Sequence, residues 1–175
     1  MIKKSNREKL LALFFDRPTK QFQLREMSKL TCIGLPSVKK YIETFVKEGL
    51  VKKEMGTVFP YFIANRESIE FRVLKVSYLR IALEECGIVA KLEHAYPDCI
   101  VLFGSGSRGE DTEKSDIDIF IQGEETDVPT PALEKIIKRK MNLMFESDLK
   151  KLPNELKNNI ANGIVLRGYF NAVCA

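Results

Sequence analysis

Cys99-Ile100-Val101-Leu102-Phe103-Gly104-Ser105-Gly106-Ser107-Arg108-Gly109 runs on through Glu110-Asp111-Thr112-Glu113-Lys114 into Ser115-Asp116-Ile117-Asp118-Ile119-Phe120-Ile121. The apolar run that ends at Gly104 has the length and composition of a buried strand. It breaks into a glycine-rich turn, where backbone N–H groups and the Ser105 hydroxyl can approach an anion without side-chain obstruction. The start of a helix adds a favourable dipole, so the turn suits phosphate. A second strand is expected over residues 115–121, and its alternation sends Asp116 and Asp118 to one face and Ile117, Ile119 and Ile121 to the other. Neighbouring carboxylates repel one another. A hard divalent cation resolves that repulsion, and Mg²⁺ takes one or two carboxylates together with phosphate oxygens.

Residues 104–109 also satisfy G-x-G-x-x-G, the dinucleotide-binding fingerprint. That unit needs a crossover helix with an apolar face after the glycines. Residues 110–115 are wholly polar and lead straight to the next strand, so the context rejects it. Instead, Gly104-Ser105, Arg108-Gly109 and Ser115-Asp116-Ile117-Asp118 resemble the glycine-serine and paired-aspartate motif of the DNA polymerase β nucleotidyltransferase superfamily. The similarity is to its minimal members, which include the antitoxins of toxin pairs. It covers about residues 88–170 and is most specific over 103–121.

The resemblance implies transfer of a nucleoside monophosphate from a nucleoside triphosphate. Asp116 and Asp118 are then the catalytic acids that hold Mg²⁺ or Mn²⁺, and Gly104, Ser105 and Arg108 meet the triphosphate. It also implies a third acid on a later strand, and the expected strand at residues 140–145 carries Asn142 at that place. An amide brings no charge and cannot serve as a base. Glu146 shares the strand parity of Asn142, about 6–7 Å further along, and is a partial substitute. Two functions are therefore expected: an active transferase, or a regulator or antitoxin whose degenerate transferase domain senses a nucleotide.

In front of this region, residues 6–15 place Leu10, Leu11, Phe14 and Phe15 on one helical face. A short second helix at residues 23–30 offers Leu24, Met27 and Leu30 to the core, and residues 31–34 make a tight turn. A third helix opens near Pro36, carries Val38, Ile42, Phe45 and Val46, and stops before Gly49. Residues 50–54 and 58–63 then read as a two-stranded hairpin. Helix-turn-helix followed by a wing resembles the winged-helix family. It leaves Ser37, Lys39, Lys40 and Thr44 free to enter a major groove while Lys52, Lys53 and Arg66 approach phosphates. From Ser68 a connecting helix is expected with Ile69, Val73, Val76, Leu79 and Leu83 as its stripe, and helices near residues 131–138 and 154–161 and a last strand at 164–166 close the chain. The fold class is thus mixed α/β (α+β): a winged helix-turn-helix over residues 1–66, a connecting helix over 67–87, and a small mixed-sheet nucleotidyltransferase fold over 88–175.

Composition agrees with two small folded units. Apolar residues form 45% of the 175 and charged residues 30%, enough to bury cores and keep the surface wet. Residues 1–66 hold 14 Lys/Arg against 6 Asp/Glu, while the remainder holds 14 against 18. An anionic polymer is therefore expected at the front. Cys32, Cys86, Cys99 and Cys174 are too scattered for a zinc site and are expected as reduced, mostly buried thiols. No apolar run reaches the roughly 18–20 residues of a membrane span, and the first residues lack a signal's apolar core, so a cytoplasmic protein is expected. Expected partners are a nucleoside triphosphate and, as further candidates, DNA, a toxin protein and a second copy of the chain.

Overall fold

The computed structural model describes residues 5–170, and Cys174 lies outside them. The chain divides between Tyr78 and Leu79 into two compact units, each with its own core.

In the first unit, α1 (Asn6–Asp16) opens with a capping box: the Ser5 hydroxyl accepts from Glu8 N, and Ser5 N donates to the Glu8 carboxylate. Leu10, Leu11, Phe14 and Phe15 are all buried. Next come α2 (Leu24–Thr31), ended by Cys32 in the left-handed region at φ 57°, and α3 (Leu35–Lys47), with Pro36 in its first turn. Gly49 stops α3 at φ 71°; Leu50 N donates to Phe45 O and Gly49 N to Val46 O, the paired bonds of a Schellman end. The chain then forms an antiparallel hairpin, β1 (Val51–Met55) with β2 (Pro60–Ala64). Phe22, which bridges to Phe62, joins Phe14, Met27, Ile42 and Phe45 in the core. Leu30, expected in that core, is 49% exposed, and Ile33 from the turn is buried instead.

α4 (Ile69–Cys86) buries Leu79 and Leu83 of the expected stripe but not its first part. Ile69 and Val73 are exposed, and Phe71, Lys75, Leu79 and Leu83, spaced by four, are buried. Phe71 decides this: its ring lies 5.2 Å from that of Phe15, and an aromatic side chain removes more apolar area from water than Ile or Val.

The second unit continues with α5 (Ile88–Glu93), β3 (Cys99–Phe103), α6 (Gly104–Arg108), β4 (Ile117–Gln122) and α7 (Thr130–Ile137). After these follow β5 (Met141–Phe145), a 3₁₀ turn (Leu149–Lys151), α8 (Asn154–Ala161) and β6 (Ile164–Gly168). The sheet order is β5-β4-β3-β6, with β4 and β5 parallel and the other pairs antiparallel. α7 supplies the crossover that a parallel pair requires. β3 is buried along its whole length, which explains its unbroken apolar sequence. Ile100, Leu102, Ile117, Ile119 and Ile121 pack on one side of the sheet with Ile88, Leu92 and Leu133. Cys99, Val101, Phe103 and Phe120 pack on the other with Leu149 and Ile160. On this second side of β4 the apolar cover stops at Phe120, and the preceding residue of that parity is Asp118, half-buried.

Gly163 lies where α8 returns to β6, and a Cβ there would meet Leu102 O at 2.6 Å and Ile160 O at 2.9 Å. Both are backbone atoms that cannot swing aside. Gly163→Ala is expected to cost about 1–3 kcal/mol, read as a lowered midpoint in urea unfolding.

Among the described residues no helix is long and apolar enough to cross a membrane. Cys86 and Cys99 are buried free thiols, whereas Cys32, at its left-handed turn position, is exposed. Burial pushes the Cys99 thiol up to about 11 and raises that of Cys86, so neither is a thiolate nucleophile near neutral pH.

Candidate functional site

Antiparallel pairing places Phe103, the last residue of β3, opposite Asp118 on β4. The chain turns immediately afterwards at Gly104, whose φ is +70°. A Cβ on Gly104 would lie 2.6 Å from Asp118 Oδ2. Glycine is therefore required twice here, for the left-handed conformation and for the space the carboxylate occupies. Ser107 Oγ donates to Gly104 O at 2.8 Å, Glu110 N donates to Ser105 O at 3.0 Å, and Gly109 ends the single turn of α6 at φ 69°. Gly106 is buried, and a Cβ there would meet the Leu79 side chain at 3.2 Å and that of Leu102 at 3.7 Å. The three glycines thus serve approach, packing and termination in that order.

Parallel pairing sets Asn142 on β5 beside Asp118, and Asn142 Nδ2 donates to Asp118 Oδ1 at 3.2 Å. A carboxylate can only accept, so the amide must present its NH₂ to it, which turns the Asn142 carbonyl away from the same point. The turn, Asp118 and Asn142 accordingly form one cluster.

Asp116 stands one residue ahead of β4, which begins at Ile117 rather than at residue 115, and it is exposed. Its position is set through the backbone. Arg139 Nη2 donates to Asp116 O at 3.3 Å, and Arg139 Nε and Nη2 donate to Ser115 O at 3.1 and 2.8 Å. Arg139 Nη1 is held by Asp111 Oδ2 at 2.6 Å. Neither Arg139 nor Asp111 is marked by the sequence: one sits in the basic run Lys138-Arg139-Lys140, the other in the polar interval, and both have the look of solvated surface.

Arg108 is exposed and paired with Glu110, Nε to Oε2, at 2.9 Å. A pair this open is worth about 0–1 kcal/mol, so the guanidinium is readily released from it. Ser105 is half-buried at the turn. Glu146, expected as a partial substitute for a third acid, has its Oε1 engaged at the turn after β5, where it accepts from Asp148 N at 2.9 Å and faces Lys151 Nζ at 3.6 Å. Among the described residues no group of three or more His, Cys, Asp or Glu side chains could hold a metal ion.

On the first unit Ser37, Lys39, Lys40 and Thr44 all lie on the exposed side of α3. Lys39 Nζ is 4.0 Å from Glu43, and Thr44 Oγ1 donates to Lys40 O. Lys53 is exposed on β1, whereas Lys52 is half-buried with its ammonium 2.5 Å from Glu67. That ammonium holds the Glu67 carboxyl below the usual carboxylate range.

Residues 88–168 match the family model described as Polymerase beta, Nucleotidyltransferase. The second unit therefore carries a nucleotidyltransferase-type domain within a mixed α/β chain. Searches of curated proteins and of solved structures returned no match.

Proposed function

We propose that the second unit binds a nucleoside triphosphate with Mg²⁺ or Mn²⁺ and transfers its nucleoside monophosphate to an acceptor, and that the first unit is a winged helix that contacts DNA. The observation that carries this reading is the close approach of the Gly104 turn to the Asp118 carboxylate: a phosphate bound at the turn and a cation bound at the acid would be neighbours. The donor set fits a hard divalent cation, because Asp116 and Asp118 offer anionic oxygens and the glycine turn beside Asp118 would hold phosphate oxygens close enough to complete the shell. Bound there, the cation supplies neutralisation of triphosphate charge and polarisation of the phosphoryl group. Gly104 and Ser105 receive the phosphate tail through backbone N–H and hydroxyl groups. Arg108 exchanges Glu110 for phosphate oxygens, which its planar fork suits.

A second reading is favoured by one observation, the amide of Asn142 in hydrogen bond with Asp118. With no base at this point, acceptor activation is weakened, and the domain would sense a nucleotide for a regulator or antitoxin. Labelled ATP, GTP, CTP and UTP, titrated with Mn²⁺ and then incubated with candidate acceptors, test both. Saturable metal-dependent binding with product supports transfer; binding without product supports sensing; no binding of any nucleotide removes the site from consideration. Co-purification and solution mass test the toxin and the second copy as partners.

For the first unit, duplex binding should weaken steeply with salt, and Lys39→Ala with Lys40→Ala should lower affinity at all sequences alike. Every lysine–phosphate pairing that these substitutions remove should reduce the slope of log K against log salt by about 1. A gel-shift titration indifferent to salt would count against DNA binding.

A further inference from the structure

We propose that Arg139 is the positioning residue of the nucleotide site, fixing the peptide that carries Asp116 so that this acid is held ready beside Asp118; the proposal rests on the nucleotide-site reading above. The ladder between β4 and β5 starts one residue after Asp116, with Ile117 N donating to Lys140 O at 2.9 Å. Ahead of that rung the polar interval of residues 110–115 contains no apolar side chain to anchor it. The Arg139 guanidinium supplies the missing attachment by binding two consecutive carbonyls, Ser115 O and Asp116 O. Asp111 fixes the guanidinium in turn, and this pair is withdrawn from solvent, with side-chain exposures of 13% for Arg139 and 3% for Asp111. A planar fork reaches three acceptors in different directions at once, which a single ammonium on a flexible stem does not. Groups that orient metal ligands in this way typically alter metal affinity about 10–100-fold when removed.

The test uses the full chain and Mn²⁺ as the probe, with inorganic triphosphate as a base-independent companion. Arg139→Met and Arg139→Lys are expected to weaken Mn²⁺ binding, followed by the loss of the free-ion electron paramagnetic resonance signal, by about tenfold or more. Hydrogen exchange at residues 110–116 should accelerate in both, while that of β3 stays slow. Triphosphate affinity without Mn²⁺ should stay within about twofold, because Arg139 makes no hydrogen bond to the turn; general damage to the domain would lower both affinities together. Arg139→Lys keeps the charge opposite Asp111 and is the informative variant where Arg139→Met does not fold. Unchanged Mn²⁺ affinity in a folded Arg139→Lys chain, or equal losses of Mn²⁺ and triphosphate binding, would overturn the proposal. Failure of the wild-type chain to bind Mn²⁺ with triphosphate would overturn the nucleotide-site reading itself, and it shows before any variant is made.

Discussion

Asp118→Asn should weaken metal-dependent nucleotide binding about a hundredfold while leaving the second unit folded. Asp118 is half-buried, in ladder register with both Phe103 and Asn142, and its Oδ2 lies where a side chain on Gly104 would have to go. An amide of the same shape keeps the strand and can still accept the Asn142 hydrogen bond through its carbonyl, so little packing changes. What disappears is the charge. Losing one anionic ligand of a hard divalent cation is expected to cost on the order of 3 kcal/mol, about a hundredfold in affinity. Calorimetric titration of Mn²⁺ with triphosphate reads the loss, and thermal unfolding shows whether the domain survives. Nucleotide binding that stays metal-dependent and undiminished in this variant would mean that the cation, if one binds, sits elsewhere.

The features that announce this site in the sequence are those whose chemistry is local. β3 must be apolar at every position because it is buried on both faces, and Asp118 stands out because the residues on either side of it, Ile117 and Ile119, are fully buried. The capping box at Ser5 and the Gly49 helix end are legible for the same reason, since each is settled within a few residues of chain. Features decided by distant partners are not legible. The first turns of α4 offer Phe71 on one face and Ile69 and Val73 on another, and the choice of Phe71 depends on Phe15, more than fifty residues earlier. Phe22 enters the core through a single bridge to Phe62. Arg139 and Asp111 are charged residues in charged runs, and only the fold brings them together across 28 positions of chain and withdraws them from solvent. The hidden pair also ties down the backbone carbonyls of Ser115 and Asp116, which lie ahead of the first rung of β4.

Asn142→Asp provides the sharpest distinction between transfer and sensing. The substitution replaces a donor 3.2 Å from Asp118 Oδ1 with a second acceptor, turning a hydrogen bond into a repulsion between carboxylates. Without metal, to the extent that the exposed side chain at 142 stays beside Asp118, the pair relieves that repulsion by retaining a proton, so its folded-state affinity for a proton rises above that of the unfolded chain. In metal-free buffer the variant consequently loses stability as pH rises through the carboxylate range and keeps more of it in acid. With Mn²⁺ present the same two carboxylates become ligands, and the cation stabilises the folded state by mass action. The variant should therefore melt below the wild-type chain in chelator, and Mn²⁺ should raise its melting temperature by more than it raises that of the wild type. If the missing acid is what limits chemistry, labelled product should increase by about tenfold or more, a modest share of what an activating metal contributes. A larger Mn²⁺ shift without product would place the limitation in the acceptor site and favour sensing. An unchanged Mn²⁺ response would show that residue 142 does not face the cation at all, which its register opposite Asp118 argues against.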